Sequence, residues 1–258
     1  MHWYDKDGEP QHFTPSKKGG LRPTTLRDAR KYGWVPSVTS VLDILTKPGL
    51  EAWKVNKAIE SAITVARHVG ETYEEYAKRI LAHSKQESEE AAERGIIIHN
   101  MLEVAFTTGE APHNQDHKEM FEAVRAILQI NCGDQDWEPE KSFNAIDYGG
   151  KIDLSSKEWV IDFKTKEFDA DHKKLEYESM AYQLVAYDVG LNTSYATDHR
   201  EHKRRIANIF ISSTNPGLVV FHEWPDDDRK RYWTIFESSL EVWKNIKKYW
   251  PENHDERN

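Results

Sequence analysis

The sequence predicts an α/β fold. The N-terminal third reads as mainly helical, and three short runs of alternating apolar and polar residues in the middle of the chain read as a strand meander. A helix, a hairpin and a closing helix then complete the pattern. The length of 258 residues suffices for one large domain, or for a core with a substantial extension.

Residues 1–35 are rich in Gly, Pro, Lys and Arg and are expected to form a loosely ordered or hairpin lead-in. Ser37 or Thr39 can cap a short helix through Leu45, which Lys47-Pro48-Gly49 breaks before a second helix over residues 50–67. Gly70 separates that helix from a third, over residues 73–83, which precedes a long one that contains Glu89 to Glu103 and no proline. On that long helix Gly95, His99, Leu102 and Phe106 share one stripe, which carries the His99 imidazole toward the interior, with Glu103 one turn on. Taken alone, such a histidine is more often a hydrogen-bonded core residue than a ligand.

Strands are expected at residues 140–145, 151–154 and 159–165. A helix over residues 177–189 follows, stopped by Gly190 and carrying Gln183 and Tyr187 one turn apart. Residues 205–212 and 218–224 form a hairpin around Asn215-Pro216-Gly217. The last helix, over residues 227–249, sets Trp233, Phe236, Leu240, Trp243 and Trp250 at near-heptad spacing, read as core before nucleobase platforms. Residues 251–258 read as a frayed tail.

Chemistry concentrates between Gly149 and Lys164. Asp153 and Asp162 fall on adjacent strands, and Asp162 and Lys164, two apart, point to one face. Two carboxylates and an ammonium at one sheet edge are the minimum equipment for cutting a phosphodiester with a divalent ion. The acids hold the metal, while the lysine orients water or neutralises phosphoryl charge. On these residues alone, a solvated amphipathic hairpin reads equally well.

Taken in order, the motifs resemble the PD-(D/E)xK nuclease superfamily, in its RecB-like exonuclease branch. Arg94-Gly95 with His99 and Glu103 is similar to that branch's Arg-Gly, His, Glu helix, and Glu140 to the acid of its first core strand. Gly149-Gly150 with Asp153 resembles the metal-binding aspartate after a glycine turn. Asp162-Phe163-Lys164 resembles the (D/E)xK signature, and Gln183 to Tyr187 the QxxxY helix that follows it. The resemblance covers residues 89–190, with a weaker likeness from Pro36 to Trp53.

The resemblance implies a restriction-endonuclease-like core, a mixed central sheet flanked by helices, with a helical N-terminal region. The domain organisation would be lead-in and helices over 1–85, nuclease core over 86–250 and tail over 251–258. It implies Asp153 and Asp162 as metal holders, His99, Glu140 and the carbonyl of Phe163 as further ligands, and Lys164 positioning or activating the attacking water. Arg94, Gln183 and Tyr187 would meet the substrate strand, or Gln183 and Tyr187 would hold Lys164. Glu103 would support an imidazole or a metal-bound water. The ion would be Mg2+ or Mn2+, the imidazole tilting preference toward Mn2+. Relatives with iron-sulfur clusters carry four cysteines; this chain has Cys132 alone, so no cluster is expected.

The implied substrate is DNA, a single strand or a duplex end, in phage-type replication, recombination or repair, with a single-strand-binding or recombination protein as a conceivable partner. A structure-specific endonuclease and a catalytically silent binding module are the rival classes. Intact Asp153, Asp162 and Lys164 argue against the second. A single cysteine excludes an internal disulfide framework and suits a cytoplasm, the host's for a phage protein. No apolar run approaches membrane-spanning length, and His2, Asp5, Lys6 and Asp7 do not read as a signal peptide.

The formal net charge of -9 means that any DNA contact relies on local cations and metal ions rather than on the whole surface. His199 to Arg205, and Lys17, Lys18, Arg22, Arg27, Arg30 and Lys31, are two basic regions; each is a strand guide or merely a solvated surface. His113, Asp116 and His117 read as an acidic interhelical loop rather than a zinc site, which needs more ligands.

Overall fold

The computed structural model describes residues 1–172, 174–194 and 203–251. It divides into two compact units, one of Met1–Ile44 with Met101–Asn258, the other Leu45–Asn100.

The first unit opens with short strands β1 (Trp3–Tyr4), β2 (Phe13–Pro15) and β3 (Leu21–Pro23), helix α1 (Leu26–Tyr32), strand β4 (Val35–Pro36) and helix α2 (Val38–Leu42). Thr25 and Asp28 close a capping box on α1, and Gly33, at φ 70°, ends it in the left-handed region that glycine adopts without strain. Ser37 caps α2, as the sequence predicts. The lead-in is more tightly held than its composition suggests. Strand β1 pairs with β4, and Trp3 is fully buried, edge-on to Trp243 and Tyr249. The Tyr249 hydroxyl donates to the carbonyls of Ala29 and Trp34, tying both ends of this unit together. Hairpin character survives in β2 and β3, whose tip carries exposed Lys17 and Lys18.

In the second unit, α3 (Pro48–Thr64) starts with proline in its first turn, and the long α4 (Tyr73–Thr108) follows, its residues from Met101 on belonging to the first unit. The Tyr76 hydroxyl donates to the carbonyls of Ala62 and Val65, and Ser61 meets His83 at 3.1 Å. The sequence predicts a break between residues 83 and 89; none occurs. That stretch holds no Gly or Pro, and the Ser88 hydroxyl donates to the Ser84 carbonyl one turn back, a bond that a serine makes inside a continuing helix.

Beyond α4, helix α5 (Gln115–Cys132) is capped by Asn114, which accepts the His117 N–H. Asp116 and His117 therefore sit in a first helical turn and not in the predicted loop. Strands β5 (Glu138–Asn144), β6 (Gly149–Ser155) and β7 (Trp159–Lys166) fall where the sequence predicts the meander. Helix α6 (Glu178–Ser194) then leads to the hairpin β8 (Arg205–Ser212) and β9 (Val219–Glu223), and α7 (Arg229–Lys247) closes the fold.

The five strands β5 to β9 lie side by side in chain order. All neighbours are antiparallel except β7 and β8, which are parallel, as a helical crossover through α6 requires. The sheet is thus mixed and the fold α/β. Phe163 stacks on Phe106, which meets Phe121 of α5, while its neighbour Asp162 reaches α6 on the opposite face. Helix α7 buries Tyr232, Phe236, Leu240 and Trp243, so its aromatic stripe is mainly core. Among the described residues no helix is long and apolar enough to cross a membrane.

Helix α6 does not stop at Gly190. A methyl group there would come within 2.0 Å of the Phe143 ring, so the glycine serves close helix-to-sheet approach rather than termination.

Candidate active site

Strands β6 and β7 pair at Leu154↔Ile161 and Ser155↔Val160. One step further the register sets Asp153 opposite Asp162, and there the Phe163 N–H donates to Asp153 Oδ2 at 2.7 Å. A side chain takes the donor that a neighbouring strand would otherwise use, and the strands part where the acids stand. On the other side, the pairs Pro139↔Leu154 and Lys141↔Ile152 leave Glu140 opposite Asp153. Asp162 in turn pairs with Asn208. Register therefore lines up Glu140, Asp153, Asp162 and Asn208 across four adjacent strands. Glu140 adopts φ 54°, an uncommon value for a residue with a side chain.

Asp162 is buried, 3% exposed. Its Oδ1 accepts from Gln183 Nε2 at 2.9 Å and from Lys164 Nζ at 3.0 Å. Its Oδ2 accepts from Asn208 Nδ2 at 2.7 Å and stands in an ion pair with Lys164 Nζ, also at 2.7 Å. Lys164 also donates to Gln183 Oε1 at 3.3 Å, and Gln183 Nε2 donates to the Tyr187 hydroxyl at 2.8 Å. Strand periodicity brings Asp162 and Lys164 to one face, and helical periodicity stacks Gln183 over Tyr187, so two motifs far apart in sequence meet in one network. Burial, with the Asp162 charge next, raises the Tyr187 pKa well above its ordinary value and keeps the hydroxyl neutral. Tyr4 is shifted upward too, by burial and then by the charge of Asp153.

The other predicted residues are placed as follows. Glu140 forms an ion pair with Lys151, which also stands 3.7 Å from Glu103, so these two acids share one lysine. The Phe163 ring is buried against Phe106, leaving its carbonyl as the group the resemblance implies for a metal. Half-buried His99 and exposed Arg94 belong to the Leu45–Asn100 unit. Of the basic segment at 199–205, residues 199–202 lie outside the described residues; Lys203 pairs with Asp226, Arg204 with Asp188 and Arg205 with Glu223. Of the predicted tail, residues 252–258 likewise lie outside.

Sequence reasoning missed Asn208, Trp224 and Tyr4. One signal was present for Asn208. It is the lone amide in Ile206-Ala207-Asn208-Ile209-Phe210-Ile211, and a polar group inside a buried strand must find a partner.

Among the described residues, no group of three or more His, Cys, Asp or Glu side chains is gathered in a way that could hold a metal ion. The donor set along the register line is nevertheless carboxylate oxygen, the chemistry that suits Mg2+ or Mn2+. Lys164 bridges both oxygens of Asp162, so a cation bound there would replace the lysine contacts.

No family model and no curated protein matches the chain. Among solved structures it is similar to one titled "Crystal structure of SSO0001", at 13% identity, over 75% of this chain and 86% of that one, with a TM-score of 0.29. A score that low fixes neither fold family nor function.

Proposed function

We propose that this chain is a metal-dependent DNA exonuclease of the PD-(D/E)xK superfamily, RecB-like branch, with β5 to β9 as a restriction-endonuclease-like core. One observation supports the reading above the rest. The Asp162-x-Lys164 pair of β7 and the Gln183-x-x-x-Tyr187 pair of α6 join in a single hydrogen-bonded cluster beside Asp153. A solvated hairpin offers no reason for a buried carboxylate to gather a lysine and two amides around it.

In this reading Asp153 and Asp162 would hold Mg2+ or Mn2+, with Glu140, His99 and the Phe163 carbonyl added by resemblance alone. The bound ion supplies Lewis-acid stabilisation of charge on the phosphoryl oxygens. Lys164, which contacts Asp162 and Gln183 Oε1, would position the attacking water or neutralise phosphoryl charge. Gln183 holds Asp162 and Lys164 in one geometry, and Tyr187 fixes the Gln183 amide from behind. Arg94 is assigned to the strand, and Glu103 to supporting the metal shell, on resemblance.

Digestion of end-labelled linear and covalently closed circular DNA tests the proposal. Mg2+ or Mn2+ should support cleavage, while Ca2+, with its larger and looser shell, should bind without turnover. Undiminished cutting in excess EDTA would remove the metal mechanism. Equal cutting of linear and closed substrates would make the enzyme an endonuclease.

A further inference from the structure

Asn208 is fully buried on β8, and its amide makes one accepting and two donating contacts that define its orientation. Its Oδ1 accepts from Trp224 Nε1 at 2.8 Å, and an indole N–H can only donate. The Nδ2 group must therefore face the other way, where it donates to Asp162 Oδ2 at 2.7 Å and to the Asp162 carbonyl at 3.2 Å. Trp224 is itself fixed. It is 6% exposed, its backbone N–H donates to the Ile206 carbonyl at 3.0 Å, and its ring meets Tyr232 edge-on.

From these contacts we infer that Asn208, oriented by the Trp224 indole, is a positioning residue that sets the plane of the Asp162 carboxylate. The inference rests on the proposed role of Asp162 and names a residue that no motif of the resemblance contains. Its logic is geometric. Lys164 contacts both oxygens of Asp162 and would have to yield them to a cation. Gln183 and Asn208, one on each oxygen, would then hold the carboxylate in its orientation. Asn208 is the more constrained of the two, being locked by a donor-only partner in the core. A chain of hydrogen bonds polarises along its length, so the Trp224 N–H senses the charge on Asp162 through the amide.

Three measurements decide it. Mn2+ affinity by calorimetry should fall about tenfold in Asn208→Leu, the loss expected of one charge-assisted hydrogen bond, and in the same direction but less in Trp224→Phe, which removes only the donor that orients the amide. In single-turnover cleavage at saturating Mn2+, Asn208→Leu should lower the rate while DNA affinity holds. In the wild-type fold, the indole N–H resonance of Trp224 should shift on Asp162→Asn. That last readout requires neither metal binding nor cleavage, so it judges the relay even where the nuclease reading fails. Should Asn208→Leu not fold, Trp224→Phe carries the affinity test. An unmoved Trp224 resonance in Asp162→Asn, or wild-type Mn2+ affinity in folded Trp224→Phe and Asn208→Leu, overturns the inference.

Discussion

At Asp162 one carboxylate meets Gln183 on Oδ1, Asn208 on Oδ2 and the Lys164 ammonium across both oxygens. That set of contacts explains how an acid can be buried at 3% exposure without being left unpaired. It also separates the functions of its partners. Gln183 and Asn208 are neutral and stay, whereas Lys164 is a charge whose departure opens one site on each oxygen. Lys164→Ala should therefore leave metal binding intact or slightly tighter, because a competitor is gone. Its cleavage rate should fall by a factor on the order of a hundred or more, since removing one donor from developing charge typically costs that much. Single-turnover kinetics beside a DNA-binding titration would read the two effects apart. Equal losses of rate and affinity would recast Lys164 as a general phosphate anchor.

At the scale of elements, α6 couples the sheet to the site, and Gly190 lets it lie close. Gly190→Ala adds a methyl group within 2.0 Å of Phe143. Overpacking of this kind costs about 1–3 kcal/mol, offset in part by the helix propensity of alanine, about 1 kcal/mol. Urea unfolding should show a net loss, and an unchanged or raised midpoint would mean that Phe143 yields freely. The same glycine shows where sequence reading fails. A local rule sees Gly190 as a helix stop, but the deciding contact is with a strand 47 residues earlier, at Phe143. Likewise Trp3 is lost in a lead-in of Gly, Pro, Lys and Arg, because nothing local shows that Trp243 and Tyr249 await it. By contrast β5 to β9 were legible, since strand alternation and turn residues are local signals, and so were Asp162, Lys164, Gln183 and Tyr187. Asn208 and Trp224 were not, because their meaning lies in a pairing across strands.

The N-terminal strands give a further prediction at this scale. The His12 ring stacks on His2 at 4.3 Å and accepts the Trp3 N–H through Nδ1 at 3.2 Å, which requires that nitrogen to be unprotonated. Burial, and then the charge of His2, lower the His12 pKa to about 4 from the ordinary 6.5. Between those values the unfolded chain binds the proton more readily, so stability rises with pH across that window. The contribution is complete above pH 6.5 and is lost as pH falls toward 4. His12→Gln should show a flatter stability profile between those limits than the wild type in parallel urea titrations. Parallel profiles would place the acid sensitivity elsewhere.

For the molecule as a whole, the charge balance bears on how DNA would be met under the proposed function. A chain of net charge -9 repels duplex DNA at a distance, and several of its described cations stand in ion pairs, among them Arg204 with Asp188 and Arg205 with Glu223. Landing on the interior of a closed molecule would rely on charge attraction to the backbone, which this surface does not broadly offer. A free end demands less. Frayed bases expose π faces, and a single strand carries a lower charge density, so a few aromatics and local cations suffice to track it. The prediction, which also rests on the RecB-like resemblance, is that linear substrates shorten progressively from an end while closed single-stranded circles resist. Gln183→Ala and Tyr187→Phe should slow that shortening without abolishing Mn2+ binding, because Gln183 bonds to Asp162 and Lys164, and Tyr187 to Gln183, rather than to the ion. Rapid cutting of closed single-stranded circles by homogeneous protein would refute end dependence, and with it the argument that a negatively charged surface selects for ends.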